Sequence, residues 1–284
     1  MRLDRWVPRR RPKREPLIRP EDILLSKRIT WRIDEPFTIF ECKDFFTADV
    51  YRALSDDFPM KELEAKVHAT GSRQARLHRD GSSDLDGFLD RSYVWRSFHD
   101  ALMSRQFVSD VFDVMGREIR KAFRARPGLR RLQPLHAQVL KYRHFSRLDF
   151  DINCSLRGYE LTPHVDKASK LVALLFYFPV ASEHEGRDGG TGFWRRRPGS
   201  TELPTKLTQK GQLPRVVEPN DDAAEADIAK RTFQTSFERF HVAEYRANCV
   251  SGFVKTQDSW HDVDLRDFPE GARRRVVLYN INLR

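Results

Sequence analysis

The chain has 284 residues, a net charge of +10 and 39% hydrophobic residues, enough for one large domain or two small ones around a substantial core. No apolar run approaches the ~18 residues of a membrane helix, and the first residues are charged rather than apolar, so neither a spanning helix nor a secretory signal is read and a soluble, cytoplasmic protein is expected. Cys42, Cys154 and Cys249 are odd in number and far apart, match no zinc or disulfide spacing, and are expected to be buried reduced thiols.

Residues 1–20 read as a disordered basic tail. Arg2, Arg5, Arg9, Arg10, Arg11, Lys13, Arg14 and Arg19 face only Asp4 and Glu15, and Pro8, Pro12, Pro16 and Pro20 interrupt them. Such a run can bind nucleic acid by counterion release, although no nucleic-acid-binding motif accompanies it. Folded chain is expected over residues 21–284, starting near Ile23, with 21–130 mainly helical support. Pro36–Cys42 reads as a short strand. A helix follows Thr47 as N-cap, with Phe46, Val50, Leu54 and Phe58 on one face and Pro59 at its end. Residues 65–90 are rich in Ser, Gly and Asp and read as a loop covering a site. Two helices then span Ser92–Met103 and Gln106–Phe123, the second with the stripe Phe107, Val111, Met115, Ile119, Phe123.

From residue 131 onward the pattern turns to strands. Leu135–Arg143 and Leu148–Leu156 carry period-two stretches, and Leu171–Phe178 is a continuous apolar run of the kind that forms a buried strand. A polar loop from Ala181 to Gly189 leads to Thr191–Trp194. The connection near 195–236 is long and polar, with a short helix expected at 221–228, and reads as a lid. Strands resume at Phe240–Tyr245, Cys249–Val254 and Arg275–Leu283. Helices first and strands afterwards give an α+β chain, and antiparallel strands around one site give a double-sheet jelly roll of the cupin kind.

The candidate chemistry lies in Leu161-Thr-Pro-His-Val-Asp166, just before the apolar run. In an extended segment, residues two apart share a face, so His164 and Asp166 present an imidazole and a carboxylate side by side. A third ligand is available in His261, 97 residues later, within Ser259-Trp-His-Asp-Val263. Two histidines and one carboxylate leave about half of an octahedral shell open, as in non-haem iron(II) oxygenases. The same three side chains also suit zinc, but no general base stands at short spacing as in His-Glu-x-x-His. His68, His78, His99, His136, His144, His184 and His241 lack a comparable context. Near the end, Arg273, Arg274 and Arg275 run into an apolar strand, and alternation puts Arg274 on the opposite face from the other two.

Taken together, Arg157-Gly-Tyr-Glu-Leu-Thr-Pro-His-Val-Asp166, Leu174-Leu-Phe-Tyr-Phe178, Gly189-Gly-Thr-Gly192, Ser259-Trp-His-Asp-Val263 and the arginine-led last strand resemble the iron(II)- and 2-oxoglutarate-dependent dioxygenases, in particular their prolyl-hydroxylase-like branch. The resemblance covers about residues 150–284 and implies a double-stranded β-helix with supporting N-terminal helices. It implies iron(II) held by His164, Asp166 and His261, 2-oxoglutarate and O2 as co-substrates, ascorbate as an auxiliary reductant, and hydroxylation or another C–H oxidation of a metabolite, sugar or protein side chain. The family's pattern favours Arg274 for the distal carboxylate of 2-oxoglutarate, with Tyr177 beside it. Val276 departs from that pattern, in which a small polar residue is usual. Arg157 is expected either to brace the metal strand or to contact substrate. The competing expectation is a non-catalytic binding module on the same fold, taking nucleic acid through the basic arm.

Overall fold

The computed structural model describes residues 15–78, 84–124, 146–167, 169–180, 186, 188–200 and 223–283, without the side chains of 123–124, 146, 223–227 and 229–230. Strands β1 (Trp31–Ile33) and β2 (Ile39–Cys42) come first. Helices α1 (Ala48–Asp56) and α2 (Met60–Thr70), strand β3 (Gln74–Leu77) and helices α3 (Asp84–Arg91), α4 (Tyr93–Leu102) and α5 (Arg105–Arg124) follow. Eight further strands complete the chain: β4 (Ser146–Ser155), β5 (Glu160–His164), β6 (Lys170–Tyr177), β7 (Gly192–Arg196), β8 (Phe237–Val242), β9 (Val250–Val254), β10 (Trp260–Asp264) and β11 (Arg274–Leu283). Helix α6 (Ala223–Ser236) lies between β7 and β8.

The described strands form two antiparallel sheets. The major sheet has the order β1-β2-β9-β6-β11-β4-β3 and the minor sheet β5-β10-β7-β8. From β4 onward the chain passes repeatedly from one sheet to the other, so that β9-β6-β11-β4 and β5-β10-β7-β8 interleave in sequence. That is the winding of a double-stranded β-helix, the jelly roll expected from the strand pattern. Strands β1 and β2 extend the major sheet beyond β9, and β3 extends it beyond β4.

The major sheet is covered on both faces, which explains the uninterrupted apolar run of β6. Val172, Leu174 and Phe176 point into the helical layer, whereas Ala173, Leu175 and Tyr177 point between the sheets. Strand β11 divides in the same way: Val277, Tyr279 and Ile281 face the helices, and Val276 and Leu278 face the interior. On the helical side, Trp95, Phe98 and Leu102 of α4 and Phe107, Val111, Met115 and Ile119 of α5 are buried against the sheet. Full burial of each such side chain contributes ~1.5–3 kcal/mol. Ser92 caps α4 by accepting from Trp95 N at 3.2 Å, whereas Thr47 stands at the N-cap of α1 without a side-chain cap bond.

Several expectations are corrected. Residues 65–90 are not one loop: α2, β3 and α3 occupy most of them, with Gly71 closing α2 in a left-handed conformation (φ 65°). The ordered chain also begins before residue 20, since Ile18 is buried and its N donates to Ser97 Oγ at 2.8 Å. Helix α6 is longer than the short helix expected at 221–228. The three cysteines are buried and in no disulfide, as expected. The basic residues up to Arg14, the Leu135–Arg143 stretch, most of the 181–189 loop, the centre of the 195–236 connection, and His136, His144 and His184 lie outside the described residues.

Candidate metal centre

Strands β5 and β10 pair antiparallel with His164 directly opposite His261. Both imidazoles lie on the inner face of the minor sheet, with ring centroids 4.3 Å apart, and His261 also packs on Phe253 at 4.6 Å. In each ring Nδ1 lies 2.9 Å from the backbone carbonyl two residues earlier, Thr162 for His164 and Ser259 for His261. A carbonyl can only accept, so Nδ1 carries the proton and Nε2 keeps its lone pair. Burial holds both imidazoles neutral. It pushes His164 down to about 3, with His261 adding to the effect and Asp166 opposing it, and it lowers His261 as well, again against Asp166.

Asp166 lies just beyond the end of β5, so the two-residue alternation holds at the strand's edge. Val165 between the ligands turns outward into a cluster of Trp194, Phe233, Phe237 and Trp260. The Asp166 carboxylate is divided between two tasks. Oδ1 accepts from Lys170 Nζ at 2.8 Å, whereas Oδ2 is buried, has no hydrogen-bond partner among the described residues and lies 3.6 Å from His261 Nε2. Burial alone would raise this acid, but Lys170 and the two histidines outweigh it and hold it at about 2. One donor atom from each of His164, Asp166 and His261 lies within 4.8 Å of the other two.

This arrangement fits a resident divalent metal. A buried carboxylate oxygen without a donor is costly unless a cation meets it. Two neutral imidazoles with their Nε2 lone pairs toward the same side complete a facial donor set of borderline character, suited to iron, zinc or nickel. The second carboxylate oxygen, occupied by Lys170, leaves Asp166 one oxygen to offer.

The strand that carries His261 is braced from its outer face. Asp262 is buried and ion-paired with Arg239 Nη2 at 2.5 Å, and the Arg239 guanidinium lies 4.9 Å above the Trp194 ring. Glycine is required at 192, because a Cβ there would stand 2.1 Å from Asp262 Oδ1. The described end of the 195–236 connection belongs to this bracing layer: Phe233 of α6 packs on Trp194 and Trp260 behind the triad.

Alternation on β11 places Arg274 on the inner face and Arg275 on the helical face. Arg274 is buried, donates from Nε to Gly189 O at 2.5 Å, and has Nη2 3.5 Å from Thr191 Oγ1. Tyr177 Oη donates to the same Thr191 Oγ1 at 3.2 Å, and the guanidinium lies 5.8 Å from the Tyr177 ring. No carboxylate pairs with Arg274 among the described residues. Arg275 instead donates to Phe178 O at 2.7 Å and stacks over Phe58 on the far side of the sheet. Arg273 is half-buried near Glu64, and Arg157 is exposed beside Glu270, neither in contact with the triad. The triad, Tyr177 and Arg274 therefore share the interior of the barrel. Sequence reasoning missed Lys170, Arg239 and Asp262; the i+4 spacing of Lys170 from Asp166 was a signal only once the β5–β6 connection was known to fold back.

No family model matches the chain, and no curated protein matches it. Among solved structures, the chain is similar to a prolyl-4-hydroxylase of Pseudomonas putida, at 12% identity over 87% of this chain and 92% of that one, with a TM-score of 0.39. It is similar to a Trichoplax adhaerens prolyl hydroxylase in complex with a hypoxia inducible factor peptide fragment, at 8% identity over 86% and 83%, TM-score 0.40. A third is HygX of Streptomyces hygroscopicus with nickel, 2-oxoglutarate and hygromycin B bound, at 11% identity over 86% and 82%, TM-score 0.42. Likenesses of this size carry no functional argument, which rests on the side chains above.

Proposed function

We propose that this protein is an iron(II)- and 2-oxoglutarate-dependent oxygenase that oxidises a C–H bond of an organic substrate. One observation carries the reading: two buried imidazoles, each with Nδ1 tied to a carbonyl so that Nε2 keeps its lone pair, stand beside an Asp166 Oδ2 that has no hydrogen-bond donor among the described residues. His164, His261 and Asp166 would hold iron(II). The chemistry such a centre supplies is the coupling of 2-oxoglutarate decarboxylation, to succinate and CO2, with oxidation of an unactivated C–H bond by O2.

The chain's own residues divide the remaining work. Thr162 O and Ser259 O fix the imidazole tautomers, and Lys170 fixes the rotamer of Asp166. Arg274 offers a buried guanidinium to the distal carboxylate of 2-oxoglutarate, and Tyr177 with Thr191 forms its polar flank. Leu175, Phe253, Val276 and Leu278 line the interior between these groups and exclude water. No observation supports ascorbate or a nucleic-acid partner. The test is equilibrium dialysis with Fe(II) under anaerobic conditions. The wild-type chain binds one equivalent, and His164→Ala and Asp166→Ala bind none while keeping the far-UV signature of the fold. Stoichiometric iron retained by either folded variant overturns the assignment.

A further inference from the structure

The oxygenase reading leaves unexplained a row of polar side chains on the inner face of the major sheet. On β4, Phe150, Ile152 and Cys154 enter the helical core, so Arg147, Asp149, Asp151 and Asn153 face the other way. Register places Arg147 opposite Asn282, Asp149 opposite Asn280, Asp151 opposite Leu278 and Asn153 opposite Val276. On the other side of β11, Lys170 stands opposite Asn282. The row therefore begins at the lysine that holds Asp166.

Part of this row satisfies itself. Asp149 accepts from Arg147 Nε at 2.9 Å and from Asn282 Nδ2 at 2.9 Å. The remainder does not. Asn153 and Asn280 are 1% and 7% exposed, and the Oδ1 of each accepts no hydrogen bond among the described residues. The Asp151 carboxylate, two residues from Asn153 and diagonal to Asn280, feels Arg76, His78, Asp149 and Lys170 only through space and receives no hydrogen bond among the described residues. Among the described residues, Asn153 and Asn280 each hold a buried oxygen without a donor, and Asp151 adds a half-buried carboxylate beside them. A buried oxygen without a donor is costly, and a bound ligand that brings donors recovers that loss.

At neutral pH 2-oxoglutarate brings only acceptors, its two carboxylates and keto oxygen, and its chemistry matches Arg274 rather than this row. We infer that Asp151, Asn153 and Asn280 form the floor of the substrate site, and that the substrate presents N–H or O–H donors, as an amine-bearing or polyhydroxylated group, beside the C–H bond that is oxidised. This inference rests on the oxygenase reading for the word substrate, but the row's preference for donors is readable without it.

The experiment is calorimetric titration of the full chain loaded with Ni(II) and 2-oxoglutarate, using myo-inositol, glucosamine and N-acetylproline methyl ester, which has neither N–H nor O–H. One or both donor-bearing probes bind, and the ester does not. Binding of glucosamine alone assigns the ammonium as the recognised group; binding of both assigns the hydroxyls. In Asn280→Leu and Asp151→Asn the dissociation constant of the bound probe rises about tenfold or more. Binding of the ester alone, binding of no probe, or unchanged affinity in both variants overturns the inference. Failure of the oxygenase reading shows separately, as wild-type chain that takes up neither Ni(II) nor 2-oxoglutarate while the donor probes still bind.

Discussion

Lys170 decides which oxygen of Asp166 a metal can reach. Its ammonium holds Oδ1 at 2.8 Å, so Oδ2 alone faces the imidazoles. Replacing it with methionine keeps the aliphatic stem and removes the charge. Lys170→Met is expected to weaken metal binding by about 10- to 100-fold, with partial recovery in Lys170→Arg, in a competition titration against a metal indicator; equal affinity in all three proteins would place Lys170 outside the centre. Arg274 and Arg275 give a sharper contrast because they are neighbours on opposite faces of β11. Arg274→Ala is expected to raise the 2-oxoglutarate concentration for half-saturation at least tenfold, with unaltered iron affinity. Arg275→Ala is expected to lower the melting temperature instead, by uncovering Phe58 and Phe178; the opposite assignment of effects would put the co-substrate on the wrong face. At this scale His164, Asp166 and His261 could be read as a candidate site from the order of several features: a His-x-Asp pair before a buried strand, a Gly-Gly-Thr-Gly turn, a second histidine and an arginine-led last strand. Lys170 was not, since Lys167 is closer to Asp166 in sequence and only the fold turns Lys167 outward.

At the scale of elements, the jelly-roll strands declared themselves by apolar runs and alternation, and β6 and β11 fall within a residue of their expected limits. The elements that escaped are the ones whose stability comes from packing rather than from their own sequence. Strand β3 is four residues long and lies at a sheet edge, too short for its Gln-Ala-Arg-Leu alternation to register. Helix α3 holds three aspartates and a glycine, a composition that reads as loop, yet Leu85, Phe88 and Leu89 give it a buried side. Strand β9 owes its place to Gly252: a Cβ there would stand 2.3 Å from Phe40 Cζ and 2.7 Å from Leu174 Cδ2. Gly252→Ala is expected to cost about 1–3 kcal/mol in urea unfolding, since two core side chains must shift; an unchanged midpoint would mean that the β2–β9–β6 packing is looser than its geometry. Helix α6 backs the metal strands through Phe233, so Phe233→Ala is expected to cost about 3 kcal/mol and to weaken metal binding less than Lys170→Met does.

For the molecule as a whole, two cores share one sheet: a helical side that carries stability and an inner side that holds the candidate site. The division explains where the polar interior residues can be tolerated, and why the thiols are inert. Burial pushes Cys42 up to about 12 and Cys249 up to about 11, and Cys154 is fully covered, so a thiol reagent at pH 8 is expected to label no cysteine until the chain unfolds and then all three. Rapid labelling of the native protein would show that the sheet opens locally. Much of the excess positive charge lies in the first twenty residues of the sequence, and the triad and Arg274 can be assayed with that arm in place. If His164, Asp166 and His261 hold iron(II) in a barrel that also takes 2-oxoglutarate, anaerobic titration of the purified chain with Fe(II) and 2-oxoglutarate gives the visible absorbance band of an iron–keto-acid chelate. The band is expected to require both components and to vanish in His164→Ala; a folded wild-type chain without it, or a variant that keeps it, would overturn the proposed centre.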